Sequence, residues 1–168
     1  MHKFGGVSLA DSAAVRHAVD IIRRHAQEPT VVVVSAMAGT TDALLGQAEQ
    51  AGAGEARTVA SLIARLRSRH AEAARSLLPA GRGRADLLAY IGDVFEELEA
   101  LAQGLRLLRE LTPRTTDGLA SRGERLSARL VAAALEAAGT KAKYVDALEL
   151  VHTDGVFGRA APPRPAGR

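Results

Sequence analysis

The segment HKFGGVS at residues 2–8 combines features suited to binding an anion. Lys3 carries a positive charge on a flexible stem, and Gly5 and Gly6 let the backbone approach a ligand closely and direct amide groups at it. The spacing GxxxxGK[ST] of a Walker phosphate loop is absent. A strand end followed by a tight turn explains the same residues without a ligand, so the motif alone leaves both interpretations open.

A second polar segment, SAMAGTTD at residues 35–42, follows a strongly apolar run. Ser35, Thr40 and Thr41 offer hydroxyl groups, and the small residues around them leave space for a ligand. A threonine at this place can equally cap the next helix. Only one hydroxyl is needed for a cap, so the segment is compatible with a helix start and with a ligand-binding loop.

Glu124 is the third candidate, in the segment SRGERLSARL. On a helix it shares a face with Val131 and Leu135, so we expect it to be turned toward the packed side. It also falls near the expected start of that helix. A carboxylate there is either satisfied by the amide groups of the helix start or used to bind a ligand cation.

The histidines provide no comparable pattern. His70 falls in line with Ile63 and Leu66 on the apolar stripe of a long helix, which favours a boundary residue with one hydrogen bond over a catalytic group. The five histidines have no HxxxH or HxH spacing for a metal, and no Ser/His/Asp arrangement is identifiable.

Composition excludes several classes of function. The 168 residues contain no cysteine, which removes disulfides, thiolate metal sites and cysteine nucleophiles. The net charge of +3 comes from 22 basic and 19 acidic residues scattered along the chain, and aromatics make up 3%, so nucleic-acid binding is disfavoured. Neither a membrane-spanning run nor a targeting segment is recognisable, and we therefore expect a cytoplasmic location.

The remaining pattern predicts the elements that must position these residues. Residues 2–5 and the β-branched run at 30–36 are expected to be strands, the second buried on both faces. A helix capped by Asp11 or Ser12 is expected between them, ending near Gln27.

The second half of the chain is dominated by helical patterns. Residues 55–111 predict two long helices broken at LLPAGRGR, and LTPRTTDGL interrupts the pattern again. The segment LASRGERLSARLVAAALEAAG predicts a third helix ending at Gly139, followed by a short strand in KAKYVDA. This order favours an α/β fold around a mainly parallel sheet.

Taken together, four segments resemble the amino-terminal part of the aspartate kinases, in the amino acid kinase family. They are KFGGVSLADSAAV, VVVVSAMAGTTDALL, TDGLASRGERLSARL and VDALELVHTDGVFGRAAP, in the family's order and over almost the whole chain. The resemblance implies the amino acid kinase-like three-layer α/β fold with a mainly parallel sheet, of which residues 1–158 would form the amino-terminal half. The Pro- and Arg-rich residues 159–168 are expected to be a disordered tail.

The reaction implied by the resemblance is transfer of the γ-phosphoryl group of ATP to the β-carboxylate of L-aspartate, in lysine, threonine and methionine biosynthesis. Mg²⁺ would arrive with ATP, and no separate metal site is expected. The implied site residues are Lys3 as the catalytic cation, with Gly5, Gly6 and Ser8, for the phosphates. Those implied for aspartate are Ser35, Thr41 and Glu124, the last binding its α-ammonium group.

Two departures from the family pattern shape the expectations. Val7 stands where the family usually has Thr or Ser, although Ser8 remains beside it. The family's later catalytic half is not part of the sequence, so we expect an incomplete nucleotide pocket, self-association through an uncovered apolar surface and a separate chain as a possible partner. A non-catalytic relative that binds a partner or a small amino acid is the alternative.

Overall fold

The fold is an α/β arrangement built on one pair of parallel strands. The structure is a computed structural model and describes residues 1–25, 29–53 and 56–161. Within these ranges the strands are β1, His2–Phe4, and β2, Val32–Val34, hydrogen-bonded in parallel with Lys3 opposite Val33. Parallel strands require a crossover connection, which here contains a helix.

Seven helices accompany the two strands in the described ranges. A short 3-10 helix, Gly6–Leu9, follows β1 directly. The α-helices are α1, Ser12–His25; α2, Thr40–Ala53; α3, Ala56–Leu77; α4, Arg82–Leu108; α5, Pro113–Ala137; and α6, Ala147–Leu150. None of them is both long and apolar enough to cross a bilayer.

The sheet is covered by helices on one face only in the described part of the chain. Phe4 and Val34 point toward the helices and join the core, whereas Lys3 and Val33 lie on the opposite face, where Val33 is 42% exposed. Val31, just before β2, is 65% exposed. The expectation that this run is buried on both faces is therefore wrong for this chain, and the expected exposed apolar surface is present.

The predicted strand in KAKYVDA does not form. Residues 140–146 contain no strand, because in the described chain this segment is held by side chains rather than by a neighbouring strand. Asp146 forms an ion pair with Arg125 at 2.8 Å, and the Tyr144 ring lies 4.5 Å from the Arg129 guanidinium. The segment is thus fastened to α5 and leads into α6.

Local signals explain most helix ends. The Asp11 carboxylate accepts a hydrogen bond from the Ala14 amide at 2.8 Å, which confirms the predicted cap of α1. Gly139, at φ 82°, ends α5 as predicted, with its amide and that of Thr140 bonded to the carbonyls of Glu136 and Leu135.

The beginning of α5 differs from the expectation. Thr112 caps the helix by accepting from the Thr115 amide at 3.2 Å, and Pro113 occupies the first turn, where a missing amide costs nothing. The helical pattern is interrupted at Leu111 and Thr112, as expected, but the rest of the segment LTPRTTDGL already belongs to α5. The predicted end of the first helix at Gln27 and residues 162–168 of the predicted tail lie outside the described residues.

The two long helices predicted between residues 55 and 111 are confirmed as α3 and α4, which pack against each other and against α2. Phe95 is fully buried at the centre of this packing, and His70 lies 5.6 Å from its ring. His70 is only 1% exposed, so it is a core residue and not the boundary residue expected. Its single hydrogen bond, from Nδ1 to the Leu66 carbonyl at 2.8 Å, agrees with the expectation.

The buried position of His70 predicts a pH-dependent stability. Burial lowers the pKa of His70 below its ordinary value of 6.5, so below that pH the unfolded chain binds a proton that the folded chain does not. The free energy of unfolding should fall as the pH drops from 7 to 5, by at most about 1.4 kcal/mol per pH unit for one proton. Urea unfolding at several pH values measures this.

His70→Leu should flatten that dependence, and His17→Leu, on the exposed side of α1, is the matched control. An equal slope in wild type and His70→Leu would contradict the assignment.

Candidate functional site

The loop after β1 is shaped by one glycine that packs tightly and one that does not. A Cβ on Gly6 would lie 3.0 Å from the Ala36 carbonyl oxygen and 3.5 Å from the Ala38 Cα, so only glycine permits this close approach. Gly5 has an ordinary extended backbone, and a Cβ there would meet nothing within 4 Å. Neither packing nor backbone strain explains Gly5, which leaves its surface open to a ligand.

The loop after β2 is held to the first strand and turned sharply into α2. The Ser35 amide donates to the Phe4 carbonyl at 3.0 Å, which extends the strand pairing by one step. The Met37 side chain is buried, its carbonyl accepts from the Thr40 amide at 2.9 Å, and Gly39 adopts φ 72° between them. Ser35 is half-buried at the carboxyl end of the sheet, the place where ligands collect in open α/β folds.

The middle of α5 closes the site from the other side. A Cβ on Gly123 would lie 3.0 Å from the Ala36 Cβ and 3.2 Å from the Thr40 methyl group. The loop after β1, the loop after β2 and α5 therefore meet around residues 36–40. The three segments singled out in the sequence are brought together by two glycines, Gly6 and Gly123, whose role is to allow contact.

Thr40 and Thr41 differ in their surroundings at the start of α2. Thr40 is fully buried, and its hydroxyl has no hydrogen-bond partner among the described residues, so it does not cap the helix. Thr41 is half-buried, beside the loop. The capping interpretation is thus wrong for Thr40, and Thr41 is the more exposed of the two threonines.

Glu124 lies where neither expected structural role applies. It is exposed, whereas Gly123, Leu126 and Ser127 around it are buried. The expectation that Glu124 faces the packed side is therefore wrong, because the buried face of α5 passes through the preceding residue, Gly123. Glu124 also lies in the middle of α5, because the helix begins at Pro113, and so it supports no helix start. No ion pair joins it to another described residue.

The phosphate-side candidates Lys3 and Ser8 are both exposed near the open Gly5. Lys3 has no carboxylate within ion-pair distance in the described ranges. Val7 is 85% exposed, so the valine that replaces the family's hydroxyl residue makes no packing contribution. The Ser8 amide donates to the Gly5 carbonyl at 3.0 Å, so its backbone belongs to the turn that follows β1.

Arg69 is a residue that the sequence reasoning missed. From α3 its guanidinium donates to the Ala38 carbonyl at 2.8 Å and to the Ala10 carbonyl at 2.7 Å. It thereby joins the loop after β2 to the end of the loop after β1. An arginine beside a core histidine on a long helix carries no signal that separates it from a surface charge.

The carboxyl-terminal segment forms a closed loop against the start of α5. Asp154 accepts from the amides of Val156 and Ala161 at 3.1 and 3.2 Å, and the Gly158 amide donates to Asp117 at 2.7 Å. The Arg114 guanidinium lies 5.4 Å from the centre of the Phe157 ring. Residues 154–161 are therefore attached to the first turns of α5, although their side chains are largely exposed.

A cluster of aromatic and charged groups fixes the far half of α5. The Arg129 guanidinium lies between the Tyr90 and Tyr144 rings, 4.0 and 4.5 Å from their centres. The Tyr144 hydroxyl and nearby Asp146 raise the pKa of Arg125, against the effect of burial. Burial opposes ionisation of Asp146, yet the Leu148 amide, the Tyr144 hydroxyl and Arg125 together hold its pKa below the usual range.

The described residues contain no cluster of three or more His, Asp or Glu that could hold a metal ion.

Comparison with known proteins identifies the family. A sequence model of the amino acid kinase family matches residues 1–162, and the chain belongs to that family. It is 36% identical over 151 residues to aspartokinase 1, chloroplastic, of Arabidopsis thaliana, covering 88% of this chain and 25% of that protein.

Two solved structures agree with the fold. The crystal structure of E. coli aspartokinase III with lysine and aspartate (T-state) matches with a TM-score of 0.85 at 30% identity, over 96% of this chain and 34% of that one. The same enzyme with aspartate and ADP (R-state) matches with a TM-score of 0.82. The predicted fold class and family resemblance are confirmed, and the chain spans about a quarter of the Arabidopsis protein and a third of the E. coli one.

The tight contacts at the two packing glycines predict a loss of stability on substitution. Gly6→Ala and Gly123→Ala should each lower the free energy of unfolding by roughly 1–3 kcal/mol, because backbone and side-chain atoms at 3.0 Å must move. Gly46→Ala, in α2 with nothing within 4 Å, is the control and should raise stability by about 0.5–1 kcal/mol. Chemical denaturation measures all three, and equal effects at Gly123 and Gly46 would refute the close approach.

Proposed function

We propose that the chain is the amino-terminal part of the catalytic domain of an aspartokinase. It would help transfer the γ-phosphoryl group of ATP to the β-carboxylate of L-aspartate, the first step toward lysine, threonine and methionine. The observation that carries the proposal is the meeting of the two strand-end loops and α5 around residues 36–40, together with an open glycine at the end of β1 and a lysine in β1 that has no ion pair in the described ranges. The crystal structure of E. coli aspartokinase III contains aspartate and ADP, which supports aspartate and an adenine nucleotide as the substrates proposed for this chain.

On the phosphate side, Lys3 and the loop at Gly5, Gly6 and Ser8 suit a highly charged donor. In phosphoryl transfer the charge is spread over the oxygens of the moving group, and catalysis consists largely of positioning and neutralising it. Lys3 is exposed and has no ion pair in the described ranges, so its ammonium group is available for that charge. Gly5 leaves room for the donor, and Mg²⁺ would be brought with ATP as part of the substrate.

On the acceptor side, Ser35 and Thr41 belong to the segment that follows β2, and Glu124 is the neighbour of Gly123, which packs against that segment. Glu124 would bind the α-ammonium group of aspartate, as the family resemblance implies, and its exposed carboxylate has no ion pair in the described ranges that would compete. The hydroxyls of Ser35 and Thr41 would orient the substrate. Its β-carboxylate oxygen would then attack the γ-phosphorus in line, forming aspartyl phosphate as ADP leaves.

The proposal is tested by substitutions in a complete catalytic domain. Residues 1–161 are joined to the later part of E. coli aspartokinase III in place of its matching segment, and ADP release is measured with and without aspartate. Glu124→Gln should raise the KM for aspartate by about 10- to 100-fold, the value of a charge-assisted hydrogen bond, and leave the KM for ATP nearly unchanged. Lys3→Ala should lower kcat strongly, whereas Lys141→Ala, an exposed lysine beyond α5, should not.

An unchanged aspartate dependence in Glu124→Gln would remove Glu124 from the site. Activity of the 168 residues alone, lost in Lys3→Ala, would show that the later half is not required. Aspartate binding without any turnover in the hybrid would favour the non-catalytic alternative.

We also propose that the uncovered face of the sheet mediates self-association when nothing else covers it. Val31 and Val33 expose apolar surface beside Lys3, and such patches associate in water. The double variant Val31→Ser, Val33→Thr should shift sedimentation velocity toward monomer. Val7→Thr, at a valine that is more exposed but lies outside the strands, should not shift it. A wild-type chain that is monomeric at all concentrations would contradict the proposal.

A further inference from the structure

Arg69 is the one described side chain seen to hydrogen-bond to both strand-end loops. Its two terminal nitrogens donate separately, one to the Ala10 carbonyl at 2.7 Å and the other to the Ala38 carbonyl at 2.8 Å. Ala10 follows the 3-10 helix in the loop after β1, and Ala38 lies in the loop after β2, just before Gly39. The side chain is partly buried, which makes these charge-assisted bonds stronger than they would be at an open surface.

The geometry requires a forked cation. Two backbone carbonyl oxygens that approach each other repel, and a planar guanidinium can satisfy both because its N–H groups diverge from a rigid frame. The same two loops touch directly at Gly6, whose position opposite Ala36 and Ala38 leaves no room for a side chain. One contact therefore sets the minimum distance between the loops, and Arg69 prevents their separation.

We propose that Arg69 is a positioning residue, which fixes the spacing between the loop that would hold the phosphoryl donor and the loop that would hold its acceptor. This rests on the function proposed above for those loops, but the clamp itself is a property of the ligand-free chain. Arg69 is anchored in α3, and the next residue of that helix, His70, is buried in the core. The guanidinium is therefore held by a rigid element. A misplacement of reacting groups by about 1 Å is enough to slow a transfer reaction by two orders of magnitude.

Amide hydrogen exchange on the 168-residue chain tests the clamp without any ligand. The amides of Ser8, Ala10 and Thr40 are hydrogen-bonded within the two loops, and in Arg69→Met they should exchange roughly 10- to 100-fold faster. The amide of Gly139, at the far end of α5, should not change. Arg67→Met is the matched control, since Arg67 is on the same helix but pairs with Glu96 at 3.7 Å.

Arg69→Lys distinguishes a fork from a charge, and it remains informative if Arg69→Met folds poorly. A single ammonium on a shorter stem should restore protection in one loop and not in both. Full protection of both loops in Arg69→Lys, or unchanged exchange in Arg69→Met, would overturn the proposal. A general loss of helix stability would instead accelerate Gly139 as well, and that result also counts against it.

The hybrid enzyme supplies the functional readout. Arg69→Met should lower kcat about 10- to 100-fold with less than about threefold change in either KM, because each loop keeps its own groups and only their alignment is lost. Equal kcat in wild type and Arg69→Met would refute the positioning role. An inactive wild-type hybrid whose loops still open in Arg69→Met would contradict the proposed function and leave the clamp supported.

Discussion

The close approach of backbone segments around residues 36–40 is the constraint on which the rest of the structure depends. Two glycines, Gly6 and Gly123, remove the side chains that would hold the first loop and α5 away from the second loop. The residues that the two glycines approach are Ala36, Ala38 and Thr40, and the Met37 side chain among them is buried. A side chain at either glycine would push the loop after β1, or α5 with Glu124, away from the loop after β2. The fold and the candidate site therefore depend on the same packing.

Much of this arrangement follows from local signals in the sequence. Asp11, Gly139 and the break between α3 and α4 are short-range features, in which a side chain or a glycine satisfies backbone groups next to it, and they were predicted correctly. The family resemblance implied that the three chemistry-bearing segments contribute to one site, and the two loops among them lie at strand ends, where ligand sites of parallel sheets form. The periodicity did not show which residues of α5 face the core. Glu124 was expected on the buried face, whereas its neighbour Gly123 is the buried residue.

The parts that could not be predicted depend on contacts between distant residues. Arg69 lies 59 residues from Ala10 and 31 from Ala38, and nothing in its neighbourhood marks it as different from other arginines. The segment KAKYVDA has the composition of a strand but has no strand beside it in the described chain, and the pair Arg125 and Asp146 decides its path. Similarly, the β-branched run at β2 predicts burial on two faces, and how many faces are buried depends on what covers the sheet.

Some of the arginines are used within the fold, where they donate to backbone carbonyls. Arg16, Arg69 and Arg122 donate to the backbone carbonyls of Ser76, Ala38 and Gly118, at 3.1, 2.8 and 2.7 Å. A guanidinium is suited to this work because it presents several fixed donors and remains charged when partly buried. Lysine differs in having one mobile, strongly hydrated charge, and Lys3 keeps that charge exposed at the end of β1 without an ion pair in the described ranges. A charge that is not already paired within the fold can respond to a ligand, and this is the property that the proposed role of Lys3 needs.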